Sequence, residues 1–453
     1  MIAETPTSSR PLLARARVFR AEGIRPADLV GFVVVVGFII YGFGGMDLPV
    51  DGLPPIGGTT IRIIGPLLFL MSLGALCIAE GERVKRLPVS FPIVLFLGFQ
   101  VMSMAWTTNP GQWREGLVRS VLPGIGVIIC AGLTDLRVFI KGILTGIRAM
   151  LVITCAALVL FPGSTTFGMD DARNIQPGWH GLFLHKNVLS MFLVFSLVTV
   201  LCLDRSKLLK LASLITITVL LIGSSSTTGF AGALVVLLML VWLVVYRATA
   251  VHSTFIFVLV TLAGFLALIP ITYGILPTVV GWFGKDLTFS GRTAIWRASL
   301  NALRGHELAG YGLGGLWFDA GSVPTQNLRL DIGFSVVHAH NGAIELLIQL
   351  GVVGLVLFGA VWTATIVSGG RLMRTSGVRL GMWTLSWAMA VLMMGFSENV
   401  FLGGWVTVLA VMRVIGLREE IARARAAETD EQPADEMSRP SRTPTRPRQP
   451  VGV

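Results

Sequence analysis

The sequence predicts an all-α polytopic membrane protein with about twelve transmembrane helices and one large loop. Of its 453 residues, 53% are hydrophobic and only 13% are charged. A soluble protein of this length would need a larger charged surface. Apolar stretches long enough to cross ~30 Å of hydrocarbon recur along nearly the whole chain. These observations exclude an ordinary soluble enzyme or binding protein.

The apolar stretches divide the chain into five segments. A basic N-terminal segment (1–28) precedes nine spans (29–271), a large loop (272–340), three further spans (341–416) and a tail (417–453). The tail has too few apolar residues to offset the entropy of ordering, so we expect it to be disordered. The predicted spans are 29–45, 61–79, 89–105, 118–134, 138–160, 182–203, 208–222, 229–246, 253–271, 341–366, 380–396 and 400–416.

The distribution of basic residues predicts the orientation of the chain. Five arginines precede the first span, and alternate connections repeat the excess of lysine and arginine. By the positive-inside rule both termini are cytoplasmic, and the large loop is periplasmic. The net charge of +11 is therefore a topology signal that indicates anionic membrane lipid, not nucleic acid, as the partner.

Histidines and arginines gather where the large loop meets the tenth span. Residues 338–342 read His-Ala-His-Asn-Gly, and the preceding loop carries several arginines. Histidine titrates nearest neutral pH, and arginine is well suited to phosphate oxygens. Chemistry on a lipid-linked phosphate is one interpretation. The other is that the arginines contact lipid head groups while His338 or His340 caps a helix.

Ionisable residues recur at the predicted periplasmic boundary of other spans, where burial makes them costly. Arg292 is expected in the first turn of a helix that Ser290 caps, beside free backbone N–H groups that suit a diphosphate. An amphipathic helix resting on the outer leaflet is the alternative for that segment. The candidate residues are Arg119, His185, Lys186, Arg292, His338, His340 and Glu398.

Two further sequence patterns, a glycine-rich stretch and a pair of adjacent carboxylates, do not indicate an additional binding site. The stretch 310–315, Gly-Tyr-Gly-Leu-Gly-Gly, lacks the strand and βαβ context of a nucleotide-binding loop, so its glycines are expected to allow a tight turn. The adjacent carboxylates Asp170 and Asp171 lack a placed third ligand. We therefore predict neither a metal nor a cofactor.

Three segments resemble the O-antigen ligase and Wzy-type polysaccharide polymerase superfamily. They are Ser-Gly-Arg-Thr-Ala-Ile-Trp at 290–296, the stretch from His306 to Gly314, and His-Asn-Gly-Ala-Ile-Glu at 340–345, which continues to Gly351. Residues 183–187 and 223–228 are similar to the branch of exopolysaccharide-production polymerases. The resemblance implies a GT-C-like, inverting, metal-independent glycosyltransferase that uses lipid-linked substrates.

The resemblance also assigns roles to individual residues. Arg292 matches the arginine near the donor diphosphate, and His340 matches the candidate base or acceptor-orienting histidine. Ligases of the superfamily usually carry another arginine where this chain has Ser226 and Thr227. We expect Lys186 or Arg119 to supply that charge, and the departure favours a polymerase.

The sequence therefore predicts polymerisation of polyprenyl-diphosphate-linked repeat units at the periplasmic face of the bacterial inner membrane, for exopolysaccharide or O-antigen. A chain-length regulator and a flippase are candidate partners. An O-antigen ligase or protein O-oligosaccharyltransferase is one alternative. A transporter of small solutes or lipid-linked sugars is the alternative from another class.

Overall fold

The computed structural model describes residues 25–43, 56–167, 177–248, 292–317, 321–332, 336–375 and 377–431. Most of these residues lie in helices, and one short antiparallel pair joins β1 (Thr166–Phe167) to β2 (Gly178–Trp179). The helices before β1 are α1 (Pro26–Tyr41), α2 (Ile56–Ile78), α3 (Gly81–Val84), α4 (Phe91–Met102), α5 (Pro110–Gly116), α6 (Leu122–Leu133), α7 (Leu136–Leu160) and α8 (Pro162–Thr165). Those after β2 are α9 (Lys186–Leu203), α10 (Lys207–Ser224), α11 (Thr227–Ala248), α12 (Arg292–Ala302), α13 (Val323–Ile332), α14 (Gly342–Met373), α15 (Val378–Gly395) and α16 (Gly404–Glu431). A 3₁₀ turn (Ser103–Ala105) follows α4, and a π-helical turn (Leu117–Val121) joins α5 to α6.

Each predicted span outside 253–271 overlaps a helix, whereas 253–271 itself lies outside the described residues. By length and composition, 7 helices of the described part could cross a membrane. They are Pro110–Leu133, Leu136–Leu160, Lys186–Leu203, Lys207–Ser224, Thr227–Arg247, Gly342–Met373 and Val378–Gly395. The all-α polytopic class is thus supported, while the total of twelve spans and the GT-C-like architecture stay predictions.

Helices α9 and α15 form the centre of the bundle. The most apolar stretch of α9 is 83% buried and that of α15 is 72% buried, against 28% for α10. The indole of Trp383 on α15 donates a hydrogen bond of 2.9 Å to the Thr199 hydroxyl on α9. Because both groups are buried, this bond fixes the register of the two central helices without leaving a polar atom unpaired.

Helix α14, predicted as a continuous span, is broken at Gly351, whose φ is +63° and ψ −166°. The loop that carries His306 packs its backbone into the break. Val352 N–H donates to Glu307 O, and Tyr311 N–H donates to Ile348 O, each at 2.8 Å. A Cβ at Gly351 would lie 2.2 Å from the Leu308 carbonyl, so both the dihedral angles and the close approach require glycine.

The loop between α12 and α14 has a small hydrophobic core of its own. Ile295 and Ala298 on α12 are buried in this core. It also contains Tyr311, Leu316, Trp317, Leu328, Ile332, Val336, Ala339 and Ile348. The apolar face of α12 therefore packs on protein, which argues against a helix that merely rests on the outer leaflet. Gly310, Gly312 and Gly314 have positive φ, which confirms the tight turn expected there.

Helix α16 continues past the predicted tail boundary at 417 and ends at Glu431. Alanine, glutamate and arginine dominate this stretch and are strong helix formers. Polar contacts also hold it: the Arg418 guanidinium donates to the carbonyls of Ala131 and Thr134, and Arg371 pairs with Glu420 at 3.0 Å. These contacts cannot be seen from composition alone. The disorder predicted beyond residue 431 concerns residues that the structure does not describe.

We expect Gly351→Ala to lower the thermal stability of the protein in detergent. A residue other than glycine in this backbone region costs about 1–3 kcal/mol, and its methyl group would also collide with the 306–311 loop. Thermal unfolding followed by size-exclusion chromatography measures the effect. Gly359→Ala is the matched control on the same helix, because no atom lies within 4 Å of its added Cβ. Equal stability of the two variants would contradict the requirement for glycine at the break.

Candidate active site

A buried carboxylate gathers residues from three other segments of the chain at one end of the bundle. Glu398 lies in the connection from α15 to α16 and is only 4% exposed. Its Oε1 accepts hydrogen bonds from Asn187 Nδ2 at 2.6 Å and from Arg292 Nη2 at 3.0 Å. Its Oε2 lies 3.6 Å from His340 Nδ1. We call these residues, together with His338, the Glu398 cluster.

Arg292 enters the cluster from the first turn of α12. Its Nη1 donates to the Ser397 carbonyl, and its Nη2 donates to the Glu398 carboxylate. Both terminal nitrogens thus bind neighbouring residues of one short connection, which fixes the plane of the guanidinium. The side chain stays 17% exposed, so part of this cation remains open to a substrate.

His340 lies in a left-handed turn directly before α14, with φ +49°. The Asn341 side chain caps the helix by accepting from Ala343 N–H and Ile344 N–H. The His340 backbone N–H donates to His338 Nδ1 at 3.1 Å, and the two rings lie 3.9 Å apart. The cap and this local bond explain how a loop histidine is held facing Glu398.

The charges of the cluster are set by burial and by neighbours. Burial alone would raise the pKa of Glu398, but the His340 ring and the Arg292 guanidinium outweigh it and lower that pKa to about 2. Burial lowers the pKa of His338 to about 3 and that of His185 to about 4. At neutral pH a fixed negative charge therefore faces His340, while two neutral histidines lie nearby.

The hydroxyls of the turn between α10 and α11 orient Asn187. Ser226 Oγ donates to Asn187 Oδ1 at 2.9 Å and accepts from Ser190 Oγ at 2.9 Å. The Asn187 amide therefore presents its nitrogen to Glu398. Sequence reasoning did not select Asn187 as a site residue, although it follows His185 and Lys186 in the motif. It can be found only from its partner, which lies 211 positions away.

The comparisons with known proteins follow the same segments. The family described as "O-Antigen ligase" (Wzy_C) matches residues 212–359, a segment that contains Arg292, His338 and His340. This segment, about a third of the chain, is thus similar to the O-antigen ligase and Wzy-like family. It is also 25% identical over 285 residues to "Exopolysaccharide production protein ExoQ" of Rhizobium meliloti (strain 1021). That alignment covers 59% of this chain and 62% of the relative, so it spans less than two thirds of that protein.

The seven apolar helices of the described residues, together with the matched family segment, indicate a multi-pass membrane protein. Asn187 and Glu398 lie outside the matched segment, yet both contact it through the cluster. The candidate site is thus formed by the family segment together with the helices on either side of it.

Two predicted cations lie away from direct contact with Glu398. The Lys186 ammonium is buried and donates to the Pro177 carbonyl at 3.3 Å. Arg119 lies in the π-helical turn and pairs with Glu115 at 2.7 Å. His185 caps α9 by accepting from Asn187 N–H at 3.2 Å. Within the described residues the structure therefore joins Arg292, His338, His340 and Glu398 by direct contacts, with His185 and Lys186 as neighbours and Arg119 apart.

Ligand atoms of His338, His340 and Glu398 lie within 4.8 Å of one another, close enough to hold a metal ion. However, Glu398 Oε1 already accepts from Arg292 and Asn187. A guanidinium bound to the same carboxylate repels a divalent cation and weakens that ligand. The donor set therefore fits an arginine-based site better than a metal centre.

We expect the thermal stability of the protein in detergent to fall between pH 7 and pH 5. The unfolded chain takes up a proton at His338 near the usual pKa of ~6.5, whereas the folded chain, with a pKa of about 3, does not. Proton uptake by the unfolded state lowers stability as the pH falls through this window. His338→Asn keeps an acceptor for His340 N–H and should reduce the pH dependence to the part contributed by the other buried histidines, among them His185 with its pKa of about 4. His306→Asn, at an exposed histidine of the same loop, should keep the wild-type slope. A wild-type slope in His338→Asn would contradict the assignment.

Proposed function

We propose that this protein polymerises polyprenyl-diphosphate-linked oligosaccharide repeat units during exopolysaccharide or O-antigen synthesis. The observation that carries the proposal is the shared carboxylate of Glu398, which places the Arg292 cation and the His340 imidazole side by side. A cation and a candidate base at a membrane boundary suit the transfer of a glycan from a lipid-linked diphosphate. The similarity to an exopolysaccharide production protein favours polymerisation within this family.

The charge distribution supports a periplasmic location for the cluster. Helices α9, α14 and α16 begin at the cluster end, and the opposite end of the bundle is rich in basic residues. Those residues are Arg137, Lys141, Arg205, Lys207, Lys210, Arg371, Arg374 and Arg379. By the positive-inside rule the basic end is cytoplasmic. The cluster then faces the periplasm of a bacterial inner membrane, with both chain termini in the cytoplasm.

The proposed reaction needs no nucleotide, because its leaving group is already a diphosphate. A sugar hydroxyl of one lipid-linked unit attacks the anomeric carbon of a second unit from the face opposite the diphosphate. A carbon–oxygen bond forms to the attacking hydroxyl, and the bond to the diphosphate oxygen breaks with inversion. His340 takes the hydroxyl proton, and the polyprenyl diphosphate leaves with the bonding electrons.

Glu398 and Arg292 stabilise opposite charges in this transfer. If His340 becomes an imidazolium, the carboxylate 3.6 Å from its Nδ1 stabilises the new positive charge. The exposed part of the Arg292 guanidinium stabilises negative charge on the departing diphosphate. Lys186, adjacent to Asn187, adds a second positive charge near the site. With these cations fixed in place, the proposed reaction does not use a metal ion.

A chain-extension assay in proteoliposomes separates the candidate functions. Purified protein with lipid-linked repeat units should yield a ladder of lengthened lipid-linked chains, both with and without EDTA. Transfer to lipid A core or to protein without a ladder would identify a ligase instead. Counterflow of a solute without any glycan product would identify a transporter. Loss of the ladder in EDTA would contradict the metal-independent mechanism.

We expect Arg292→Ala to reduce chain extension by about 10²-fold or more, the typical effect of removing a preorganised charge-stabilising donor. Arg292→Lys should recover little activity, because an ammonium cannot bind both Ser397 O and Glu398 as a planar fork. Product ladders quantified in vesicles measure both. Arg297→Ala, at an exposed arginine on the same helix, is the matched control. Full activity in Arg292→Lys would contradict the requirement for a planar guanidinium at this position.

We expect His340→Ala to slow chain extension by roughly 10²–10⁴-fold, the range of general base catalysis, while donor binding persists. His338→Ala should be milder, because His338 contributes one neutral hydrogen bond to the backbone of the turn. If His340 acts as the base, the rate of chain extension should fall at acidic pH, and this fall should be absent in His340→Gln. Normal extension by His340→Ala together with loss in His338→Ala would transfer the catalytic role to His338. Full activity in both would exclude histidine chemistry.

A further inference from the structure

The peptide between the two histidines is held from both sides by buried groups. Ala339 is fully buried. Its N–H donates to Glu345 Oε2 at 2.7 Å, and its carbonyl accepts from Trp296 Nε1 at 3.0 Å. Glu345 lies on the first turn of α14, and Trp296 lies on α12. The backbone that carries His340 is therefore bound to two different helices.

Trp296 follows Arg292 by four positions on α12, so both side chains lie on the same face of that helix. Arg292 binds the connection at Ser397 and Glu398, while Trp296 binds the peptide next to His340. A single turn of helix thus contacts both sides of the candidate site. Because a helix is stiff over one turn, its position sets the separation of the Arg292 guanidinium and the His340 ring.

Glu345 is costly to bury and has several donors but no basic partner among the described residues. It is 1% exposed. Besides Ala339 N–H, it accepts from Trp317 Nε1 at 2.8 Å and from Gln349 Nε2 at 2.5 Å. Gln349 in turn accepts from Gly314 N–H at 2.9 Å. Burying a carboxylate is unfavourable unless it is fully hydrogen-bonded, and an apolar residue would fill the space at less cost.

We infer that Trp296 and Glu345 are positioning residues that fix His340 relative to Arg292 through the Ala339 peptide. The inference rests on the roles proposed above for His340 and Arg292. The left-handed turn at His340 costs energy for a residue with a side chain. The two bonds to Ala339 retain that turn, and through it the approach of His340 Nδ1 to Glu398.

The least disruptive test is Trp296→Phe, which keeps an aromatic ring and removes the N–H donor. We expect kcat for chain extension to fall about 10-fold, because small displacements of reacting groups reduce rates by up to ~10²-fold. The KM for the lipid-linked donor should change less than about 2-fold, since uniform binding is retained. Trp362→Phe is the matched control: it removes the same kind of bond, from Trp362 Nε1 to Ala388 O at 3.0 Å, away from the site. Glu345→Gln should resemble Trp296→Phe if it folds.

A double-mutant cycle distinguishes positioning from general weakening of the protein. If Trp296 acts through His340, Trp296→Phe should cause little further loss in the His340→Gln background. Additive losses, or an unchanged kcat in Trp296→Phe, would overturn the inference while leaving the polymerase function intact. A wild-type protein without any chain extension would instead contradict the proposed function.

A measurement that does not depend on catalytic activity distinguishes failure of the positioning inference from failure of the proposed function. Diethyl pyrocarbonate modifies accessible neutral histidines, and mass spectrometry gives the rate at each site. Release of the histidine turn in Trp296→Phe should raise the modification rate of His340 several-fold. The rate at the exposed His306 should stay as in the wild type. Unchanged rates at both histidines would overturn the inference whatever reaction the protein catalyses.

Discussion

The buried carboxylate of Glu398 is the constraint on which the candidate site depends. An unpaired ionised carboxylate in a dry environment costs several kcal/mol, so it needs donors and a cation. Asn187, Arg292 and His340 meet this need from α9, α12 and the turn before α14. These elements are far apart in sequence, and the cluster exists only when the bundle end has assembled. Site formation and tertiary packing are therefore the same event at this end of the protein.

The break in α14 extends that coupling to the large loop. Gly351 opens the helix so that the 306–311 backbone can pair with it. This pairing brings Gly314 and Trp317 to the Glu345 network, which holds Ala339. The loop is thus connected to the histidine turn by hydrogen bonds and a small core. A loop that merely rested on lipid would supply no such fixed geometry.

Hydropathy predicts the helices well because a membrane span must be continuously apolar and internally hydrogen-bonded. Arg292 and His340 could also be selected from sequence, because they lie in segments that resemble motifs of the superfamily. The break at Gly351 could not be predicted, because its cause is the backbone of a distant loop. Nor could the partners of Glu398 be predicted, because Arg292, Asn187 and His340 lie far from it in the sequence. Direct contact between Glu398 and a substrate stays a prediction.

The pairing of the Glu398 carboxylate with the Arg292 cation and the His340 imidazole suits a group transfer. In such a transfer, negative charge develops on the leaving group and positive charge develops on the base. In the proposed reaction, negative charge would grow on the departing diphosphate near Arg292, and a proton taken by His340 would add positive charge beside Glu398. Each change meets a fixed charge of opposite sign that was placed during folding, so little reorganisation remains for the reaction itself. Because the His340 ring and the Arg292 guanidinium hold the pKa of Glu398 well below its usual value, at about 2, the carboxylate is ionised at neutral pH and can play this part. The carboxylate whose charge the fold must compensate is then the group that would stabilise a positive charge on the His340 ring.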